Sequence, residues 1–187
     1  IINKLSKILN LDKKFLNKKF SQKNNFVWIK RNISPIQHKK IIDIGEINLN
    51  FHNEKKRVYP FQNAASHIVG YVDIDQIGQA GIERSYNNKL NQLKDIKLTL
   101  DIKLQQSVRE KLKKTVDLYK AESGLAIVVD MQNGEVLASV SLPDFNPNIK
   151  STYNNNNLIN RVIQSNYEMG STFKPITVAM GFDKNLL

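Results

Sequence analysis

Cysteine is absent from this 187-residue sequence, which excludes a disulfide framework and any thiolate-ligated metal site. Long apolar runs are absent too. Stretches such as Ala126-Ile127-Val128-Val129 fall far short of the roughly 20 residues that cross a bilayer. No basic, apolar, small-residue secretion signal is visible. Arginine is scarce, five residues against 23 lysines, and tryptophan occurs once, at Trp28. The three histidines, His38, His52 and His67, lack metal-ligand spacing, so packing or surface roles are expected for them. The chain opens on Ile1 rather than Met and is read as an excerpt of a longer polypeptide.

What is present supports a folded chain. The apolar fraction of 41% suffices for one domain of ordinary size or two small ones. The net charge of +11 is uneven: residues 1–40 hold 11 Lys and Arg against one acid, Asp12. A solvated lysine surface is the plain reading of that segment, and an anionic partner is the alternative. Phe15, Phe20, Phe26 and Trp28 lie within it, but no arginine-rich or aromatic nucleic-acid motif emerges. Nucleic acid is therefore not expected as a partner, and Trp28 reads as a core or partner-facing anchor.

Ile1, Leu5, Ile8 and Leu9 share helical spacing, as do Phe15, Leu16 and Lys19 after the candidate cap Asp12. Ser34-Pro35-Ile36-Gln37 has the form of a capping box with proline in the first turn, opening a helix that stops at Gly45. Strands are expected at 26–29, and as a pair at 47–51 and 55–59. A strand at 97–100 should run into Asp101, the cap of a five-turn helix whose face carries Leu104, Val108, Leu112, Thr115 and Tyr119. Residues 124–130 and 135–141 flank the turn Gln132-Asn133-Gly134 and predict a hairpin. Asn154 to Asn157 reads as a loop tip. A final helix should start near Ser171 and run through Met180. Strands and helices out of strict alternation indicate an α+β fold, with a domain boundary near residue 97.

The candidate reactive group is Gly170-Ser171-Thr172-Phe173-Lys174. In a helix, residues i and i+3 share a face, so Lys174 can bring its amine to the Ser171 hydroxyl. A serine needs a base to become a nucleophile, and a lysine serves only if burial or neighbouring cations lower its proton affinity. First-turn N–H groups favour the charge that develops there. The spacing alone means little: 12 serines and 23 lysines in this length give about 1.5 chance matches.

Several segments together carry more. Arg57-Val58-Tyr59-Pro60, Ala64 to Val72, Gly78 to Tyr86, Leu98 to Asp101 with Leu104-Gln105, Ala126 to Pro147, Asn160-Arg161 and Tyr167 to Lys174 follow one another in order. This ordered set resembles the class B penicillin-binding proteins, and among them the septal, cell-division D,D-transpeptidases. The resemblance implies a pedestal, dimerisation-type domain over residues 1–97 and the N-terminal part of a transpeptidase domain over 98–187. It implies Ser171 as acylated nucleophile, Lys174 as its base, no cofactor, peptidoglycan stem peptides as substrates and β-lactams as inhibitors. A membrane-embedded glycosyltransferase and other cell-division proteins are the implied partners. The implied location is the periplasmic side of the bacterial inner membrane.

The sequence departs from that pattern in places. The family's Ser-x-Asn and Lys-Thr/Ser-Gly motifs do not follow Ser171. Ser85-Tyr86-Asn87 precedes the nucleophile, and Lys114-Thr115-Val116 lacks the glycine. Met169 stands where proline is usual, and the stretch from Tyr86 to Leu98 is short. A non-catalytic scaffold or β-lactam-sensing relative is the alternative reading. Asp73 and Asp75 are expected in a solvated loop, Glu83 and Asp130 in structural roles, and Arg161 either in packing or against substrate.

Overall fold

Leucines four residues apart organise the first of two units. The computed structural model describes residues 1–22 and 24–185, and its compact units are residues 1–56 and 57 onward. In the first unit, α1 (Ile2–Leu9), α2 (Lys13–Phe20) and α3 (Pro35–Ile42) pack through Leu5, Leu9, Leu16 and Ile41. Asn10 ends α1 in the left-handed conformation, a residue type that tolerates it. Asp12 occupies the N-cap position of α2, but its carboxylate makes no capping bond. The capping box of α3 forms as expected. Gln37 N donates to Ser34 Oγ at 3.2 Å, and Ser34 N to Gln37 Oε1 at 3.1 Å. The Gln37 amide then donates to the Ile8 carbonyl at 3.0 Å, tying α3 to α1.

The strands expected at 26–29, 47–51 and 55–59 are not formed as paired strands in the described residues. Apolar alternation marks extended chain, whereas a strand also needs a hydrogen-bonded neighbour. Residues 97–100 fail the same test. They meet the hairpin only through the Thr99 hydroxyl on the Val136 carbonyl and Asp101 N on the Leu137 carbonyl.

In the second unit, two glycines let two segments touch. Gly70 and Gly81 both have positive φ, and a Cβ on Gly70 would stand 1.9 Å from the Ala80 carbonyl oxygen. One on Gly81 would stand 2.4 Å from that of Ile68. α4 (Ser66–Val69) and α5 (Gly81–Ser85) therefore pack backbone to backbone. Buried Glu83 receives Arg57 at 3.0 Å as an ion pair without hydrogen-bond alignment. The Tyr59 hydroxyl accepts from Val72 N at 3.1 Å, and burial, with the Glu83 charge adding, pushes its pKa up. Tyr59 N and O both bond the Asn148 amide, at 3.0 and 2.8 Å. α6 (Asn87–Asn91) follows α5.

Asp101 caps α7 (Ile102–Tyr119), accepting from Lys103 N and Leu104 N at 2.9 and 3.1 Å. The inward stripe is Leu104, Val108, Leu112 and Val116; Thr115 and Tyr119 are exposed. Steps of four continue from Leu112 to Val116, so the expected shift to Thr115 moves off the stripe. α7 lies on the antiparallel hairpin of β1 (Gly124–Val129) and β2 (Val136–Leu142), paired from Gly124↔Leu142 to Val129↔Val136. Gly134 takes the left-handed turn position, and Asp130 closes the turn through both its carbonyl and its carboxylate. One two-stranded sheet among helices, in the described residues, is the α+β class expected.

Gln105 is 1% exposed and joins three pieces of this unit. Its amide nitrogen donates to the Ala64 and Ser139 carbonyls at 2.7 and 2.8 Å, and its oxygen accepts from Ser139 N at 2.7 Å. Phe145, also 1% exposed, is ringed by His67, Tyr71 and Tyr153 at 5.2 to 5.6 Å. Beyond it, Asn155–Leu158 forms the helical turn α8, where a loop tip was expected. Asn154 drives this by capping the turn, its side chain accepting from Asn157 N at 2.7 Å. α9 is Arg161–Gln164.

Two outcomes are expected. Gln105→Leu in the 187-residue chain should lower unfolding free energy by about 3 kcal/mol in urea titration, because it strands Ser139 N–H and two carbonyls. Burial lowers the His67 pKa against a smaller opposing effect of the Asn157 carbonyl, on which the ring sits at 2.7 Å. Its stabilising contribution is therefore complete above the unfolded value of about 6.5 and lost as pH falls below it. His67→Gln, which keeps a donor for that carbonyl, should flatten the loss measured between about pH 7 and 5.

Candidate active site

Gly170 turns the chain with φ 53°, and Gly170–Phe173 forms a 3-10 turn that leads directly into α10 (Lys174–Asp183). Pro175 suits the first turn of α10, where its missing N–H costs nothing. The helical stretch begins where the sequence places it and extends three residues past Met180. Ser171 thus sits at a helix start, among N–H groups that have no intrahelical acceptor. Thr172 closes the turn, its N–H and hydroxyl both donating to the Met169 carbonyl.

Ser171 and Lys174 lie three residues apart on this turn, and both side chains are exposed. No hydrogen bond joins them among the described residues. The surrounding residues leave both groups open to solvent. Indeed, no residue of the 3-10 turn or of α10 is buried. Tyr167, Met169, Phe173, Ile176, Val178, Met180 and Phe182 are all more than 45% exposed. The turn therefore presents the candidate pair at the start of an apolar helix that has no buried residue.

The other candidates are placed elsewhere. Asp73 Oδ1 accepts from Asp75 N and Ile77 N, and Oδ2 from the Gln79 amide, so this carboxylate organises the loop before Gly78. Arg161 is packing, not substrate-facing: it is 9% exposed, its N–H donates to Ser141 Oγ, and its guanidinium holds Asn156. His38 packs edge-on to Phe51, and His52 lies against Phe26 and Trp28. Among the described residues no three His, Asp or Glu side chains group as metal ligands.

The sequence reading passed over three polar residues that organise this unit. Asp144 pairs bidentately with Arg109, Nη2 to Oδ1 at 3.1 Å, and also accepts from Asn63 at 2.9 Å. Asn148 clamps Tyr59. Arg109 gives the one available signal, a cation beside the apolar stripe of α7.

Known proteins match most of this chain. The model of the penicillin-binding protein dimerisation domain matches residues 1–129, and that of the penicillin-binding protein transpeptidase domain matches residues 124–187. The two overlap on β1. A probable peptidoglycan D,D-transpeptidase PenA of Neisseria meningitidis is 30% identical over 97% of this chain and 36% of its own length. The peptidoglycan D,D-transpeptidases FtsI of Buchnera aphidicola and Escherichia coli K12 are 29% and 28% identical, over 98% and 88% of this chain. Those matches cover 37% and 32% of the two proteins, so the chain spans about a third of the length of its relatives. With a dimerisation-domain match over 129 of its 187 residues, running into a transpeptidase-domain match, the chain belongs to the penicillin-binding protein family.

Proposed function

We propose that the protein to which these residues belong is a peptidoglycan D,D-transpeptidase of septal cell-wall synthesis. The observation that carries this is the Gly170–Lys174 turn: a serine at a helix start, a lysine three residues on, both uncovered, within the transpeptidase match. The names of the FtsI and PenA relatives supply the reaction class. We assign residues 1–97 to the pedestal domain and 98–187 to the first part of the catalytic domain. The Asp101-capped start of α7 is what favours that division, within a unit packed as one from residue 57 onward.

In this reading, Lys174 Nζ takes the Ser171 hydroxyl proton as Ser171 Oγ attacks the carbonyl linking the two D-alanines of a stem peptide. The C–N bond breaks, and the terminal D-alanine leaves carrying a proton. An amine of a second stem then attacks the acyl-serine, forms the cross-link and frees Ser171. A β-lactam carbonyl enters the same first step and leaves Ser171 acylated. The Ser171 N–H is the natural first donor to the developing oxyanion. Elements outside these residues must bury Lys174 and supply the second donor.

The same reading gives β-lactams and peptidoglycan stems as ligands. It gives a glycosyltransferase and other division proteins as pedestal partners, at the outer face of the inner membrane. No helix among the described residues is long and apolar enough to cross a membrane.

Labelled penicillin tests this reading. The complete protein should form a stable adduct, Ser171→Ala should abolish it, and Lys174→Ala should slow acylation by about 10³-fold. Residues 1–187 alone should form none. An undiminished adduct in Ser171→Ala would overturn the assignment, and normal septation by that variant would favour a scaffold.

A further inference from the structure

The first unit carries far more charge than a small helical core needs. Residues 1–56 hold 13 Lys and Arg against four acids, a net +9, while the remaining 131 residues carry +2. Twelve of those 13 cations are lysine. The same unit leaves aromatic rings half uncovered: Phe15, Phe20, Phe26 and Trp28 are 41–54% exposed. Its core is only Leu5, Leu9, Leu16 and Ile41 with partly buried neighbours, so the rings are surplus to it.

Cations and rings are interleaved. α2 reads Lys-Lys-Phe-Leu-Asn-Lys-Lys-Phe, with Leu16 turned fully into the core. Lys13, Lys14 and Lys18 are exposed, and Lys19 sits 5.6 Å over the Phe15 ring. Phe26, Trp28 and His52 pack edge to face at 5.1–5.7 Å, with Arg31 5.6 Å over Trp28. They border an open groove of about 780 Å³ whose walls also carry Lys30 and Lys56.

We propose that this unit docks on an anionic lipid bilayer, with α2 lysines at the headgroups and the Phe15, Phe20, Phe26 and Trp28 rings at the interface. Charge complementarity selects the occupant. Lysine stems lie along apolar surface while the ammonium reaches outward, and aromatic rings favour the headgroup level. A single-stranded nucleic acid would instead ask for open ring faces and arginine. Here Phe26 and Trp28 close edge to face on each other and on His52, Lys19 stands over the Phe15 ring, and a single arginine is present. The docking stands apart from the transpeptidase reading and would hold whether or not Ser171 is acylated.

Trp28, the only tryptophan, reports on it directly. The 187-residue chain is mixed with phosphatidylcholine vesicles, with and without phosphatidylglycerol. Its emission should shift to the blue and the chain co-sediment only where phosphatidylglycerol is present, with binding falling as salt rises. Each lysine at an anionic surface contributes about fivefold. Replacing Lys13, Lys14, Lys18 and Lys19 by Gln should therefore weaken binding several hundredfold. Replacing the exposed Lys111, Lys113, Lys114 and Lys120 of the second unit should leave it within about twofold, although the net charge changes equally. Far-ultraviolet circular dichroism verifies that both variants keep their helices. Equal losses in the two variants would overturn the proposal, as would an unshifted Trp28, or salt-sensitive retention on RNA without vesicle binding.

Discussion

The second unit hangs on one buried carboxamide. Gln105 offers two donors and an acceptor in a place where water does not reach, and all are used on backbone: Ala64 on one side, Ser139 on the other. A buried polar side chain is costly unless it is satisfied, and its cost specifies geometry once it is. α7 can lie on β2 in one register only, because a shift of one residue would orphan the amide and two strand groups together. The apolar stripe of α7 supplies attraction without such selectivity. Through Ala64 the same side chain fixes the segment that leads to Gly70 and the α4–α5 contact.

That contact obeys a different constraint. Gly70 and Gly81 hold their segments closer than any side chain permits, and Arg57, Tyr59 and Glu83 then share the enclosed space. The partly exposed Arg57 balances the Glu83 charge, and Asn148 pins the Tyr59 backbone from the Pro-x-Phe-x-Pro loop. Blocks far apart in sequence, at 57–60, 64–72, 78–86 and 143–148, thus turn out to be one packed assembly. Their order in the chain was the basis of the family resemblance. Their contacts are its physical content, since each supplies an atom that another would otherwise leave unpaired.

Local chemistry was the legible part of the fold. The capping box at Ser34, the Asp101 cap and the Gly134 turn are each decided within four residues, and the structure has them all. Pairing was not legible. Phe26-Val27-Trp28-Ile29 has strand composition, but whether it becomes a strand depends on a neighbour that its own residues do not name. The Asn154 tract misled for the opposite reason: asparagine suits loops, and equally caps the turn that forms. The Arg109–Asp144 and Asn148–Tyr59 bonds join residues 35 and 89 positions apart, beyond any pattern of spacing.

For the site, the sequence located the turn and the helix start, and the physics of the pair explains why it could go no further. A Ser-x-x-Lys spacing gives proximity in a helix, but activation needs a low-dielectric surrounding, and that is a property of walls. Here no residue of the turn or α10 is buried, and seven large apolar side chains around the pair are more than 45% exposed. Such a helix is stable in water only if something covers it, because apolar area of this extent drives association. The same burial that would hold α10 in place would also strip water from Lys174. Covering α10 and activating the nucleophile beside it are therefore one event in this reading, driven by the same covered surface.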